Sequence, residues 1–234
     1  IGPDVYPVLQ AHIVDAGQDP EVGAIVLTGA NGFFSSGGNV NALKASGAAT
    51  LAAATGNTDK LNALILAIVQ CPKPLIAAVE GGAAGAGFSL CLACDLIVAS
   101  DDALFTAAYI RVGLSPDGGA THFLDRALPR QLVNEICILG RPVAAARLHA
   151  AGLINSCHPP ATVLDASLNL ATQIASGPPN ATAKIKELVS TSGSTDLATQ
   201  LAVEARAINL ARFGKEAAEG LSAFIEKRKA SFRG

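Results

Sequence analysis

Apolar positions recur along this chain with two periods, and the switches between them outline its elements. Val5, Leu9 and Ile13, with His12 beside them, fall on one side of a helical repeat, which predicts a helix over 5–16. The run 23–29, GAIVLTG, is short, β-rich and closed by glycine, as a buried strand should be. An apolar stretch predicts a helix over 61–69, stopped by Pro72 and Pro74. Strands are expected over 74–81 and 95–100, with a glycine-entered helix over 85–94 between them, and a short fourth strand over 103–108. Helices follow over 130–139, 144–150 and 162–174, separated by Gly or Pro. Strand, glycine turn, helix and strand in alternation imply parallel pairing through crossovers, hence an α/β class. From Gly177 onward the pattern is purely helical and more charged, which divides the chain into a core over 1–176 and a helical region over 177–234. The segment 42–60 is rich in small residues and is read as mobile, bordering a pocket.

Composition narrows the classes. Half of the 234 residues are apolar and 15% are charged, enough to bury a large core and too few charges for disorder. A net charge of −2 leaves no electrostatic footprint for nucleic acid or an anionic membrane, and 4% aromatics leave no base-stacking platform. Every long apolar stretch is interrupted by charge, Gly or small polar residues, so no membrane span is expected. The five cysteines are odd in number and widely spread, which points to reduced thiols and a cytoplasmic protein. Cys91 and Cys94 have C-x-x-C spacing, but they sit in an apolar run with no second pair and read as packing residues. The four histidines lack ligand spacing, so no metal is expected.

The candidate chemistry lies in three Gly-rich turns. FFSSGGNV (33–40) and IAAVEGGAAGAGFSLCLACDLIVAS (76–100) each follow a strand-like segment and place small residues where a main-chain N–H can be bared. VGLSPDGGAT (112–121) supplies the one carboxylate embedded in such a turn, Asp117. Taken singly, these are ordinary compositions: glycines serve tight turns, and Pro-Asp-Gly is a common turn sequence. Together, two bared amides and an acid make a kit for removing a proton from carbon next to a carbonyl.

In the order GAIVLTGANGFFSSGGNV, IAAVEGGAAGAGFSLCLACDLIVAS, FTAAYIRVGLSPDGGATHFLDRALP, LGRPVAAARLHAAGLINSCHP and EGLSAFIEKRKASF, the chain resembles the crotonase (enoyl-CoA hydratase/isomerase) superfamily over nearly its whole length. The resemblance implies a spiral of ββα units with a C-terminal helical subdomain, a homotrimer or dimer of trimers, and an acyl-CoA thioester substrate with no cofactor beyond its coenzyme A. It places the two amides that hold the thioester oxygen at Gly38 and Ala86. Ser35, Ser36, Gly37, Gly85, Tyr109 and Lys227 are implied as substrate-binding residues, Lys227 at the CoA phosphates. The family's N-terminal strand pair has no counterpart before Ile1, so a start inside a longer chain is expected.

The departures bear on the chemistry. The two glutamates that activate water in the hydratases of this family fall on Ser89 and Tyr109, neither of which replaces a carboxylate as a base near neutral pH. Asp117 remains, and AAYIRVGLSPDGGAT resembles the enoyl-CoA isomerases and the ring isomerases of the phenylacetyl-CoA route. The dehalogenases that use an acid at this turn fit less well, because few aromatics are present. The expected activity is therefore a double-bond shift in an unsaturated or cyclic acyl-CoA, with Asp117 as acid/base and Phe105 and Leu114 as its apolar neighbours. Hydration, with Asp117 alone or with Glu80 placing water, and acyl-CoA binding without turnover are the alternatives. Asp95 reads as structural, Glu135 as a buried or salt-bridged helix residue, and His122 as packing at a helix start.

Overall fold

The computed structural model describes residues 1–39 and 50–232. Four parallel strands form the main sheet in the order β1 (Ile25–Thr28), β2 (Leu75–Val79), β4 (Leu96–Ser100) and β7 (Ser156–His158). Ile25 pairs with Leu75, Ile76 with Leu96, and Val98 with Ser156. Parallel neighbours need crossovers, and the helices α2 (Leu51–Gln70) and α3 (Ala86–Ala93) supply the first two. All five residues of β2 are buried, which is why LIAAV reads as an unbroken apolar run rather than an alternation. Its two faces serve different layers. Leu75, Ala77 and Val79 join Leu64, Ile68 and Phe88 in the main core, while Ile76 and Ala78 pack with Val98 and Val163 under α7 (Val163–Ala175).

A second, smaller sheet holds β3 (Gly82–Ala84) parallel to β5 (Leu104–Thr106), and β5 antiparallel to β6 (Val143–Ala144). The expected α/β class holds, and the strand expected over 74–81 is β2, whereas β3, in the gap before the expected helix, is not predicted by the pattern. β2 ends at Val79, the chain turns through Gly81 at φ +64°, and β3 starts in the other sheet. A run of small apolar residues gives no periodicity signal for that change of sheet. β6 and β7 are likewise too short to be read.

α1 (Tyr6–Gln18) and α2 pack against each other beside the main core. The helix expected over 61–69 is the last half of α2. Its buried side chains Leu61, Leu64, Ile65 and Ile68 have the i, i+3, i+4, i+7 spacing, whereas its first ten residues lack that pattern. Residues 51–60, expected to be mobile, are helical instead. Thr50 caps them by accepting from Ala53 N–H at 3.3 Å, and the alanines favour the helix intrinsically. The rest of that expectation, over 42–49, lies outside the described residues.

After β5 come a 3-10 turn (Ala108–Val112), α4 (Ala120–Ala127), α5 (Arg130–Leu139) and α6 (Ala145–Ala150). Beyond α7, the chain is helical in α8 (Pro179–Ser192), α9 (Leu197–Ala211) and α10 (Lys215–Glu226). These helices and the turn between α9 and α10 leave large apolar side chains exposed, among them Leu197, Phe213, Phe224 and Ile225. Asp95, at the entry to β4, accepts from Leu75 N–H at 2.8 Å and pairs with Lys186 of α8, a structural role as expected. Glu135 forms a bidentate pair with Arg147 at 2.6 and 2.8 Å, and His122 lies edge-on to Phe123 at the start of α4. No helix among the described residues is long and apolar enough to cross a membrane.

Candidate active site

The first two Gly-rich turns meet through their main chains. Phe34 N–H donates to Glu80 C=O at 2.9 Å, Ala84 N–H to Ser35 C=O at 2.9 Å, and Ser35 bridges in parallel to Ala83. This pairing draws the 35–38 turn against the start of α3. Gly37, at φ +83°, comes so near that a Cβ there would lie 2.5 Å from Ala84 O and 3.2 Å from Ala86 N, so any side chain would be expelled. Gly38 follows directly, and Ala86 is the first residue of α3. Neither the Gly38 nor the Ala86 N–H forms a hydrogen bond among the described residues. The sequence-expected amides therefore lie in adjacent turns, with Ala86 at the positive end of a helix dipole.

The neighbouring residues hold this geometry. Gly85 N–H donates to Thr106 C=O at 3.0 Å, and its own φ is +52°. Ser35 is buried and its hydroxyl accepts from Gly37 N–H at 3.2 Å, while Ser36 is exposed. Glu80 is half-buried, and its carbonyl serves Phe34 and Gly82.

The third turn arrives from the 3-10 segment. Gly113 ends that segment in the left-handed region, and Gly118 (φ +58°) carries the chain over α3. A Cβ on Gly118 would stand 2.9 Å from Ser89 Cβ and 3.2 Å from Leu61 Cδ2. That close passage seats Asp117 beside the fully buried Ser89. Tyr109 donates to Asp117 Oδ1 at 2.7 Å, and Ser89 donates to Asp117 C=O at 2.9 Å. Tyr109 and Ser89, the positions at which the family resemblance implies water-activating glutamates, thus both contact Asp117. Phe105 is buried, whereas Leu114, expected as the other apolar neighbour of Asp117, is 48% exposed. The contact made to the carboxylate is the polar one from Tyr109.

Burial, with the Asp117 charge adding to it against the Ser89 hydrogen bond, pushes the Tyr109 phenol well above its ordinary range. Tyr6, in the first turn of α1, is also raised, first by burial and then by the Asp117 charge. The Asp117 charge thus acts on both tyrosines of this chain, and in each its effect is smaller than that of burial. Sequence reasoning missed Tyr6, because nothing local connects a helix near residue 6 with a turn at residue 117. The scarcity of tyrosine was the only signal available. Two cavities, of about 420 Å³ between α1 and α2 and about 520 Å³ beside β7 and α7, lie apart from these groups.

Lys227 forms no ion pair or side-chain hydrogen bond with these groups among the described residues. It caps α10 in the left-handed conformation (φ +56°) and is exposed. The adjacent Arg228 is committed to Glu219 and Glu226, each at 2.7 Å, so the basic run 227–229 is partly neutralised by its own helix. Cys91 and Cys94 are free and buried, and burial pushes the Cys94 thiol up to about 12, consistent with packing rather than reactivity. Among the described residues no three His, Cys, Asp or Glu side chains group as metal ligands.

A profile of the enoyl-CoA hydratase/isomerase family matches residues 8–234. The chain is 33% identical over 219 residues to 2,3-dehydroadipyl-CoA hydratase of Escherichia coli K12, covering 94% of this chain and 84% of that protein. It is 31% identical over 218 residues to 1,2-epoxyphenylacetyl-CoA isomerase of the same organism, covering 93% and 83%. Among solved structures, an enoyl-CoA hydratase from Polaromonas sp. JS666 superposes with a TM-score of 0.98 at 39% identity, covering 100% of this chain and 91% of the other.

Proposed function

Because the chain belongs to the enoyl-CoA hydratase/isomerase family, we propose that it shifts a carbon–carbon double bond in an acyl-CoA, from 3-enoyl to 2-enoyl or in a related cyclic substrate. The observation that carries this reading is the convergence of Tyr109 and Ser89 on Asp117, which leaves one carboxylate in the constellation and no glutamate pair for water. The thioester oxygen sits on the Gly38 and Ala86 amides. Asp117 removes a proton from C2, the released pair forms C1=C2 and charge collects on the oxygen as a dienolate; collapse of that charge then forms C2=C3 and opens C3=C4 toward the proton. The protonated Asp117 then returns the proton at C4. One base suffices for both transfers. Each fixed donor facing the developing oxyanion contributes on the order of a hundredfold in rate.

Ser35, Ser36, Gly37, Gly85 and the Tyr109 ring line the substrate in this reading, and Lys227 meets the CoA phosphates. The exposed apolar side chains of α8–α10 support assembly into a trimer or a dimer of trimers, since such a surface is unusual on a monomer. The free thiols favour a cytosolic setting.

Hydration is the second reading, favoured by the hydratase names of two of the three relatives above. The experiment is a side-by-side assay of 3-hexenoyl-CoA isomerisation and crotonyl-CoA hydration in the wild type and Asp117→Asn. Isomerisation that exceeds hydration and disappears in Asp117→Asn is expected. Wild-type turnover in Asp117→Asn sinks the isomerase reading, and absence of both reactions favours acyl-CoA binding alone.

A further inference from the structure

Three contacts join Ser89, Tyr109 and Asp117, and two hydroxyl protons serve them. Tyr109 Oη is 2.7 Å from Asp117 Oδ1, Ser89 Oγ is 2.9 Å from the Asp117 main-chain oxygen, and the two hydroxyl oxygens are 3.1 Å apart. An ionised carboxylate only accepts, so the phenol proton is committed to Oδ1. The Ser89 proton is then shared between the Asp117 carbonyl and the Tyr109 oxygen. Ser89 itself is fixed, fully buried on α3. Asp117 is thus held at two points, its carbonyl by α3 and its carboxylate by the 3-10 turn.

We propose that Tyr109 is a positioning residue for Asp117. Its hydroxyl occupies Oδ1 and leaves Oδ2 as the oxygen that carries the substrate proton from C2 to C4. This rests on the isomerase reading and deepens it. The terminal torsion of an aspartate is broad and roughly two-fold, so an untethered carboxylate would present either oxygen over a range of directions. An allylic shift needs one oxygen to reach two carbons in succession without losing the proton to water. Tethering Oδ1 sets the plane of the carboxylate and aims Oδ2 at both. The phenol stays protonated throughout, because burial and the neighbouring carboxylate both disfavour its ionised form, so it directs the acid without exchanging protons with the substrate. The two hydroxyls that replace a water-holding glutamate pair thereby serve the acid instead.

The test compares full-length wild type, Tyr109→Phe, Ser89→Ala and Asp117→Asn with 3-hexenoyl-CoA in H2O and D2O. Tyr109→Phe keeps the ring and removes one oxygen. A loss of aim should lower its kcat about 10–100-fold, with KM within about threefold of wild type. The fraction of product carrying solvent deuterium at C4 should rise, because a carboxyl group free to rotate exchanges its proton before returning it. A kcat within twofold of wild type with an unchanged deuterium fraction overturns the proposal. So does a KM that rises as much as kcat falls, which would make Tyr109 a substrate contact. If Tyr109→Phe fails to fold, judged by its melting curve, Ser89→Ala is read in its place with the same split expected. Asp117→Asn separates the two levels: if it is inactive while Tyr109→Phe is unaffected, only the positioning role falls. Wild-type turnover in Asp117→Asn, or an inactive wild type, removes the isomerase reading and this inference together.

Discussion

Lys186 reaches from α8 to Asp95 at the entry to β4, an ion pair of 2.7 Å in which the lysine side chain is 9% exposed and the aspartate 27%. The same ammonium donates to the carbonyls of Ile68 and Lys73 at 3.0 and 3.2 Å. One side chain therefore ties the C-terminal helices to the end of α2 and to the main sheet. Even so, the Asp95 carboxyl lies above its ordinary value, because desolvation outweighs the stabilising ammonium and main-chain donor.

Lys186→Met should therefore cost about 3 kcal/mol, since it strands a largely buried carboxylate. Asp95→Asn should cost less, since an amide oxygen can still accept from Leu75 N–H and the ammonium keeps two carbonyls. A carboxyl raised by folding binds more protons in the folded than in the unfolded chain. Its ionisation therefore works against folding as pH rises past the ordinary carboxylate range. Without the ammonium this opposition grows, so the Lys186→Met deficit should shrink as pH is lowered toward that range. Urea denaturation at several pH values checks both the ranking and the sign.

Gly118→Ala should disable the site at moderate cost to the fold. The residue would be forced to φ +58° with its methyl 2.9 Å from Ser89 Cβ, a strain of about 1–3 kcal/mol. The relief available is displacement of the Asp117 turn. A melting curve lowered by a few degrees together with at least a tenfold loss of turnover is expected; full activity would show that the turn tolerates the shift.

Tyr6→Phe should separate activity from stability. The residue is 6% exposed, and its hydroxyl makes no hydrogen bond among the described residues, so removing that oxygen should leave stability within about 0.5 kcal/mol. Its phenol nevertheless senses the Asp117 charge. A change in kcat or KM of severalfold, with an unmoved denaturation midpoint, is the expected pattern. Unaltered kinetics would place the hydroxyl outside the reacting region.

The C-terminal turn should be released only in strong acid. Hydrogen bonds from Arg228 and then from Ser231 N–H hold Glu219 at about 2, against an ordinary value of 4.5. A depressed carboxyl stabilises the turn above the ordinary value and loses that contribution as pH falls from there through about 2. The Ser231 amide should therefore keep its protection from hydrogen exchange at pH 4 and lose it near pH 2. Glu219→Ala, which removes the acceptor, should abolish the protection at both.

What the linear chain determined is what neighbouring residues can decide. Apolar periodicity marked α1, β1, the buried half of α2, β4 and α7. Glycines at positive φ marked the turns on which Gly38, Ala86 and Asp117 ride, because a tight main-chain path demands them whatever the rest of the molecule does. Tertiary structure decided the matters that depend on distant partners. The fragment 82–84 leaves the main sheet because β5 offers it an edge, and the polar half of α2 is ordered by a cap and continuity with a packed half. Leu114 is left exposed, while Tyr109 and Ser89 turn toward Asp117. Those outcomes depend on which groups meet through space. A one-dimensional pattern records the chemistry of each residue and carries no account of its company.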